Sequence, residues 1–142
     1  MSRVIIDTGA LYAFVVRTDA HHVAARAQVK SSLGRAESFI LLDLVFAETM
    51  TLMKARLGPD VALKVGRELR ENPLYAWRAL GPDLERETWG LFQKFADKEW
   101  SYTDCAILAA SRTLGAPRVF SFDRHFLQMP GIHRVPGAEK GR

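Results

Sequence analysis

The chain has 142 residues, 48% of them hydrophobic and 25% charged, with a formal net charge of +4. A chain of this length buries about two-thirds of its unfolded surface and folds without a disulfide or metal staple. Its composition excludes a disordered, collagenous or low-complexity chain.

The single cysteine, Cys105, excludes a disulfide framework and a cysteine-rich zinc site, and it suits a reducing cytoplasm. No apolar run reaches the ~18 residues of a membrane span. The opening stretch Met1 to Asp7 carries a charge after a short apolar run and is not read as a signal peptide. The basic excess is mild evidence for a polyanionic partner.

In chain order, Arg3 to Ile6 is predicted as a strand, closed by Asp7-Thr8-Gly9, and Ala10 to Val16 as a helix. His21 to Leu33 has apolar residues near helical spacing, with Gly34 as the stop. Ser38 to Leu42 is a second buried strand. Asp43 is positioned to cap a helix over Leu44 to Leu57, which Gly58-Pro59 ends. Asp60 opens a helix to Arg70, stopped by Asn72-Pro73. Leu74 to Leu80 alternates as a strand does, and Pro82 begins a helix to about Lys98. Thr103 to Leu114 is a helix closed by Gly115 and Pro117. Arg118 to Phe122 is a strand, and Ile132 to Val135 a last edge strand.

Strand–helix alternation of this kind predicts a three-layer α/β/α sandwich with a mainly parallel central sheet of four to five strands. Residues 1–135 are expected to form one domain and residues 136–142 a flexible tail.

Four carboxylates stand out. Asp7 and Asp123 each follow a predicted strand directly, where a cap is the competing reading. Glu48 sits in a helix apolar on most sides, so at least partial burial is expected. A salt bridge to an Arg or Lys is the competing reading. Asp104 leads the apolar run Cys105 to Ala110, where an acid in the first turn also suits the helix dipole. In a doubly wound sheet, strand ends and helix starts converge on one rim. Acids gathered there repel unless a hard divalent cation holds them, and Mg²⁺ or Mn²⁺ fits oxygen ligands. The histidines His21, His22, His125 and His133 form no convincing zinc pair by spacing. An acidic pocket on a basic body suits metal-dependent cleavage of a polyanion.

Four stretches taken together resemble PIN-domain ribonucleases, in particular the VapC-like toxins of type II toxin–antitoxin pairs. They are Val4-Ile5-Ile6-Asp7-Thr8-Gly9-Ala10-Leu11, Phe46-Ala47-Glu48-Thr49, Asp97 to Cys105, and Phe120-Ser121-Phe122-Asp123-Arg124-His125-Phe126. Gly9 stands where Ser is more usual in the family. The resemblance implies a metal-dependent endoribonuclease in which Asp7 and Asp104 are the principal Mg²⁺ or Mn²⁺ ligands. Glu48 and Asp123 would complete the catalytic acidic cluster. It also implies that Thr8, Ser101 and Thr103 hold waters or a carboxylate oxygen around that cluster. RNA as substrate, a homodimer or higher homo-oligomer and a small antitoxin protein are the partners it implies.

Other features have ordinary readings. Lys64, Arg67 and Arg70 can share a helical stripe, either a solvated face or a track for the RNA backbone. His125 is read as structural or exposed, with contact to a scissile phosphate as the alternative. Trp77, Trp89 and Phe92 are read as core or dimer interface, and Cys105 as a small core residue. Asp19, Asp43, Asp60 and Asp83 read as caps and loop charges, and Asp97 and Glu99 as rim acids. A haloacid-dehalogenase-like phosphatase requires a second acid two residues after the first, where Gly9 stands. The acidic pair of a receiver domain is also missing. A non-catalytic RNA- or antitoxin-binding module is the remaining rival.

Overall fold

The computed structural model describes residues 2–137. Most of the expected tail, residues 138–142, lies outside the described residues.

The strands are β1 (Arg3–Ile6), β2 (Ser38–Leu42), β3 (Tyr75–Arg78), β4 (Arg118–Phe120) and β5 (His133–Val135). They form one sheet in the order β3-β2-β1-β4-β5, and every neighbouring pair is parallel. Val4 to Ile6 and Phe39 to Leu42 are buried without alternation, as strands covered on both faces must be.

The helices are α1 (Thr8–Val15), α2 (His22–Gly34), α3 (Asp43–Leu57), α4 (Pro59–Glu71), α5 (Gly81–Lys94), α6 (Tyr102–Leu114) and the single turn α7 (His125–Gln128). The chain runs from β1 through β2 to β3 toward one edge, then crosses to β4 and β5 on the other. Right-handed crossovers therefore put α1 to α4 on one face and α5 to α7 on the opposite face. The contacts agree: α1 packs on α2 and α3, α3 on α4, and α5 on α6. Gly66 allows the close approach of α3 and α4, since a Cβ there would stand 2.9 Å from the Met50 sulfur. The reversal of strand order falls between β1 and β4. Open α/β sheets carry their crevice at such a point, outside the carboxyl ends of the strands.

Several boundaries differ from those expected. The helix from Pro82 stops at Lys94 rather than near Lys98, because Phe95 leaves the helix to pack on buried Trp100, ring centroids 4.7 Å apart. The third strand covers Tyr75–Arg78 only, and β4 ends at Phe120, where Ser121 and Phe122 begin to turn toward α7. Asp43 is the first residue of α3 rather than its cap. Its Oδ1 accepts the N–H of Leu44 at 2.9 Å, and Leu42 holds the cap position. Gly58, not Asp60, precedes α4. Trp77, Trp89 and Phe92 are not core: they are 44%, 54% and 37% exposed. Cys105 is buried in the core, and burial first, then the Asp104 charge, raises its thiol above the usual range. No described helix is long and apolar enough to cross a membrane.

Candidate metal centre

Asp7 ends β1, and its backbone N–H donates to the Phe120 carbonyl of β4 at 3.0 Å. It occupies the cap position of α1, yet its side chain caps nothing. Instead Oδ2 accepts the Ser121 hydroxyl at 2.6 Å, and the same hydroxyl oxygen accepts the Asp123 N–H at 2.9 Å. One serine thus links Asp7, at the end of β1, with Asp123, in the turn beyond β4. The Asp7 carboxyl is buried, which pushes its pKa up from 3.8 to about 6, and the charges of Asp104 and Asp123 push the same way. Hydrogen bonds from the Ser121 hydroxyl and the Thr8 backbone oppose the rise only in part.

Asp104 is 7% exposed and stands in the first turn of α6. Ser101 caps this helix in a reciprocal box: its Oγ accepts the Asp104 N–H at 3.0 Å, and Asp104 Oδ2 accepts the Ser101 N–H at 2.9 Å. The place in the first turn that suits the helix dipole is therefore compatible with a role in the site, because the cap aims the carboxylate. Asp123 also grips its own turn, with Oδ1 accepting the His125 N–H at 2.9 Å. That turn brings the His125 Nδ1 to 3.1 Å from Asp104 Oδ2 and 3.3 Å from Asp123 Oδ1.

Glu48 is exposed rather than partly buried. Its helix α3 buries a narrow stripe of Val45, Thr49 and Met53, and Glu48 lies off that stripe. No lysine or arginine pairs with it among the described residues. Two hydroxyls hold it instead: Thr8 Oγ1 donates to Oε1 at 2.8 Å and Thr103 Oγ1 to Oε2 at 2.9 Å.

All four predicted acids line one open cavity of about 440 Å³. Asp19 and Glu99 join them, so six carboxylates face one guanidinium, that of Arg56, and the imidazoles of His21 and His125. Arg56 lies over the Tyr12 ring, 5.4 Å from its centroid. His21 stacks on Phe122 at 4.5 Å. Asp19, read as a loop charge, accepts the His21 N–H at 2.8 Å while lining the cavity. Gly9 also lines it, and a Cβ there would meet nothing within 4 Å.

The donor chemistry fits a divalent cation. Asp104, Asp123 and His125 each offer one ligand atom, and these atoms lie within 4.8 Å of one another. Oxygen donors dominate, which suits a hard ion. The buried, cation-free Asp7 carboxyl is the kind of group such an ion would relieve.

A comparison with curated proteins gives no match. Among solved structures, the chain is similar to Mycobacterium tuberculosis VapC20, described as a sarcin–ricin loop cleaving toxin. The TM-score is 0.80 at 23% identity, over 88% of this chain and 93% of that one. It is also similar to FitAcB from Neisseria gonorrhoeae, with a TM-score of 0.62 at 15% identity, over 85% of this chain and 88% of that one. At such identities the likeness is one of fold. The PIN domain model matches residues 4–132, nearly the whole chain and all four acids, and the chain therefore belongs to the PIN domain family.

Proposed function

We propose that this protein is a metal-dependent endoribonuclease, the toxin of a toxin–antitoxin pair, that hydrolyses RNA phosphodiester bonds in the cavity between β1 and β4. The observation that carries the reading is the convergence of Asp7, Glu48, Asp104 and Asp123 on one cavity, none of them paired with a lysine or arginine among the described residues. Family membership and the fold shared with a sarcin–ricin loop cleaving toxin support it.

Asp7, Asp104 and Asp123, with Glu48, would hold Mg²⁺ or Mn²⁺. When bound, such an ion lowers the pKa of water and neutralises charge on phosphoryl oxygens. The chain's own groups keep the acids in place: Ser121 fixes Asp7, the Ser101 cap fixes Asp104, and Thr8 with Thr103 fixes Glu48. Arg56 is the cation available to a phosphate entering the cavity. A small antitoxin is the inferred partner, and the groove between α3 and α4, of about 400 Å³ with Phe46, Met50 and Leu63 in its wall, gives an apolar segment room to dock. A homodimer in the cytoplasm completes the reading, and the exposed pair Trp89 and Phe92 is available for self-association.

The test is cleavage of structured RNA, beginning with a sarcin–ricin loop oligonucleotide. Cleavage is expected with Mg²⁺ or Mn²⁺ and not with EDTA. Asp7→Asn and Asp104→Asn are expected to lower it at least ~100-fold while circular dichroism stays unchanged, a loss of about 2.7 kcal/mol or more in transition-state stabilisation. Undiminished cleavage in both variants moves the chemistry elsewhere. No cleavage of any RNA by the wild type favours the non-catalytic binding module.

A further inference from the structure

We infer that His125 supplies a nitrogen ligand to the cation, so that the site selects a transition-metal ion such as Mn²⁺ over Mg²⁺. The inference rests on the metal-centre reading above and adds to it a ligand outside the four acids. Three observations carry it.

First, the His125 Nδ1 is 3.1 Å from Asp104 Oδ2 and 3.3 Å from Asp123 Oδ1. Donors on adjacent corners of an octahedron with ~2.1 Å bonds stand about 3.0 Å apart. Both separations therefore suit neighbouring ligands of one ion.

Second, hydrogen bonding accounts for only one of the two contacts. An imidazole nitrogen has one proton or one lone pair to offer. The approach to Asp104 has hydrogen-bond geometry, whereas the approach to Asp123 is short without it. Both carboxylate oxygens already accept a backbone N–H, from Ser101 and from His125 itself. An ion seated among the three donors uses both approaches at once.

Third, the turn that carries the ring is held in place before any ion arrives. The Asp123 side chain fixes the His125 backbone, and the next residue, Phe126, is fully buried. The α7 turn is pinned further by the Trp100 Nε1–H, which donates to Gln128 at 3.2 Å. A ligand fixed in this way loses little freedom on binding.

Nitrogen in the donor set has a chemical consequence. Mg²⁺ takes oxygen ligands and keeps much of its water. Imidazole best suits Fe, Ni, Cu and Zn ions, and Mn²⁺, although it favours oxygen as Mg²⁺ does, accepts a histidine beside carboxylates. Replacing His125 with an amide should thus weaken Mn²⁺ much more than Mg²⁺.

The experiment uses full-length protein titrated with MnCl₂ or MgCl₂ by calorimetry, and pulsed EPR of the Mn²⁺ form. The wild type is expected to show ¹⁴N modulation from a coordinated imidazole. His125→Gln is expected to lose that modulation and to bind Mn²⁺ on the order of tenfold more weakly, with Mg²⁺ affinity within about twofold. Wild-type Mn²⁺ without a nitrogen signal, or equal losses for both ions in a folded His125→Gln protein, overturns the inference and leaves the acidic site standing. Asp104→Asn separates the two claims. It is expected to weaken both ions, and full Mn²⁺ affinity in that variant overturns the site itself and the inference with it.

Discussion

Asp7 is the residue at which folding works against itself. The carboxyl titrates at 3.8 when unfolded and at about 6 in the folded chain. The folded state therefore holds the proton more tightly. Below pH ~4 both states are protonated and the residue costs nothing. Between pH 4 and 6 the unfolded chain ionises first, and above pH 6 the full penalty, roughly 3 kcal/mol, remains. A divalent ion would offset it at neutral pH. In EDTA, Asp7→Asn keeps an acceptor for Ser121 and has no charge to bury. It is expected to be more stable than the wild type by about 1–3 kcal/mol at pH 7.5, with the gain shrinking toward pH 4.5. Urea melts at the two pH values measure this. A variant no more stable at pH 7.5 would mean that the native carboxylate is already compensated by the protein.

At the scale of the element, the start of α6 joins stability to the site. Ser101 and Asp104 satisfy each other's N–H groups, and the fully buried run behind them anchors the helix, which Gly115 closes in the left-handed conformation at φ 61°. Ser101→Ala breaks one half of the box and is expected to cost about 1 kcal/mol, read from the urea midpoint. Because the same box aims Asp104, the variant should also bind Mn²⁺ more weakly. A stability loss with unchanged Mn²⁺ affinity would mean that the core packing of α6 alone aims the carboxylate.

Much of this element was legible in the sequence. Ser101-Tyr102-Thr103-Asp104 before an apolar run is a helix start, and the unalternating strands Val4 to Ile6 and Phe39 to Leu42 announce a sheet covered on both faces. What periodicity does not encode is tertiary. The abundance of apolar residues around Glu48 suggested burial, but a helix beside a cavity need bury only one stripe, and the acid stands on the open side. The end of α5 depends on Phe95 meeting Trp100. Asp19, Glu99 and His125 reach the site from loops or a single turn, where no repeat marks them. The one signal for His125 was its place two residues after a strand-end acid, which also suits an ordinary turn.

Across the whole molecule, charge is unevenly sorted. The chain carries +4 overall, yet its cavity gathers six acids around Arg56. If the proposed substrate is RNA, its backbone would be drawn in by cations outside the acidic cluster or at its edge. The stripe of Lys64, Arg67 and Arg70 is divided by the fold: Lys64 borders a cleft between α1 and α4, and Arg67 and Arg70 border the groove between α3 and α4. Arg70 is further engaged with the Trp77 ring, 4.9 Å from its centroid. Arg56 lines the cavity and lies over the Tyr12 ring, and among the described residues it forms no salt bridge with the acids around it. The expected outcome follows from counterion release, in which each neutralised phosphate of a single strand contributes about 0.7 to the slope of log K against log salt. Measured on Asp7→Asn protein so that the RNA survives, Arg56→Ala should lower the slope by about that amount. The Lys64, Arg67 and Arg70 triple alanine variant should leave it unchanged. The reverse result, a fall of about 2 in the triple variant and none for Arg56→Ala, would put the RNA track on α4 instead of at the cavity.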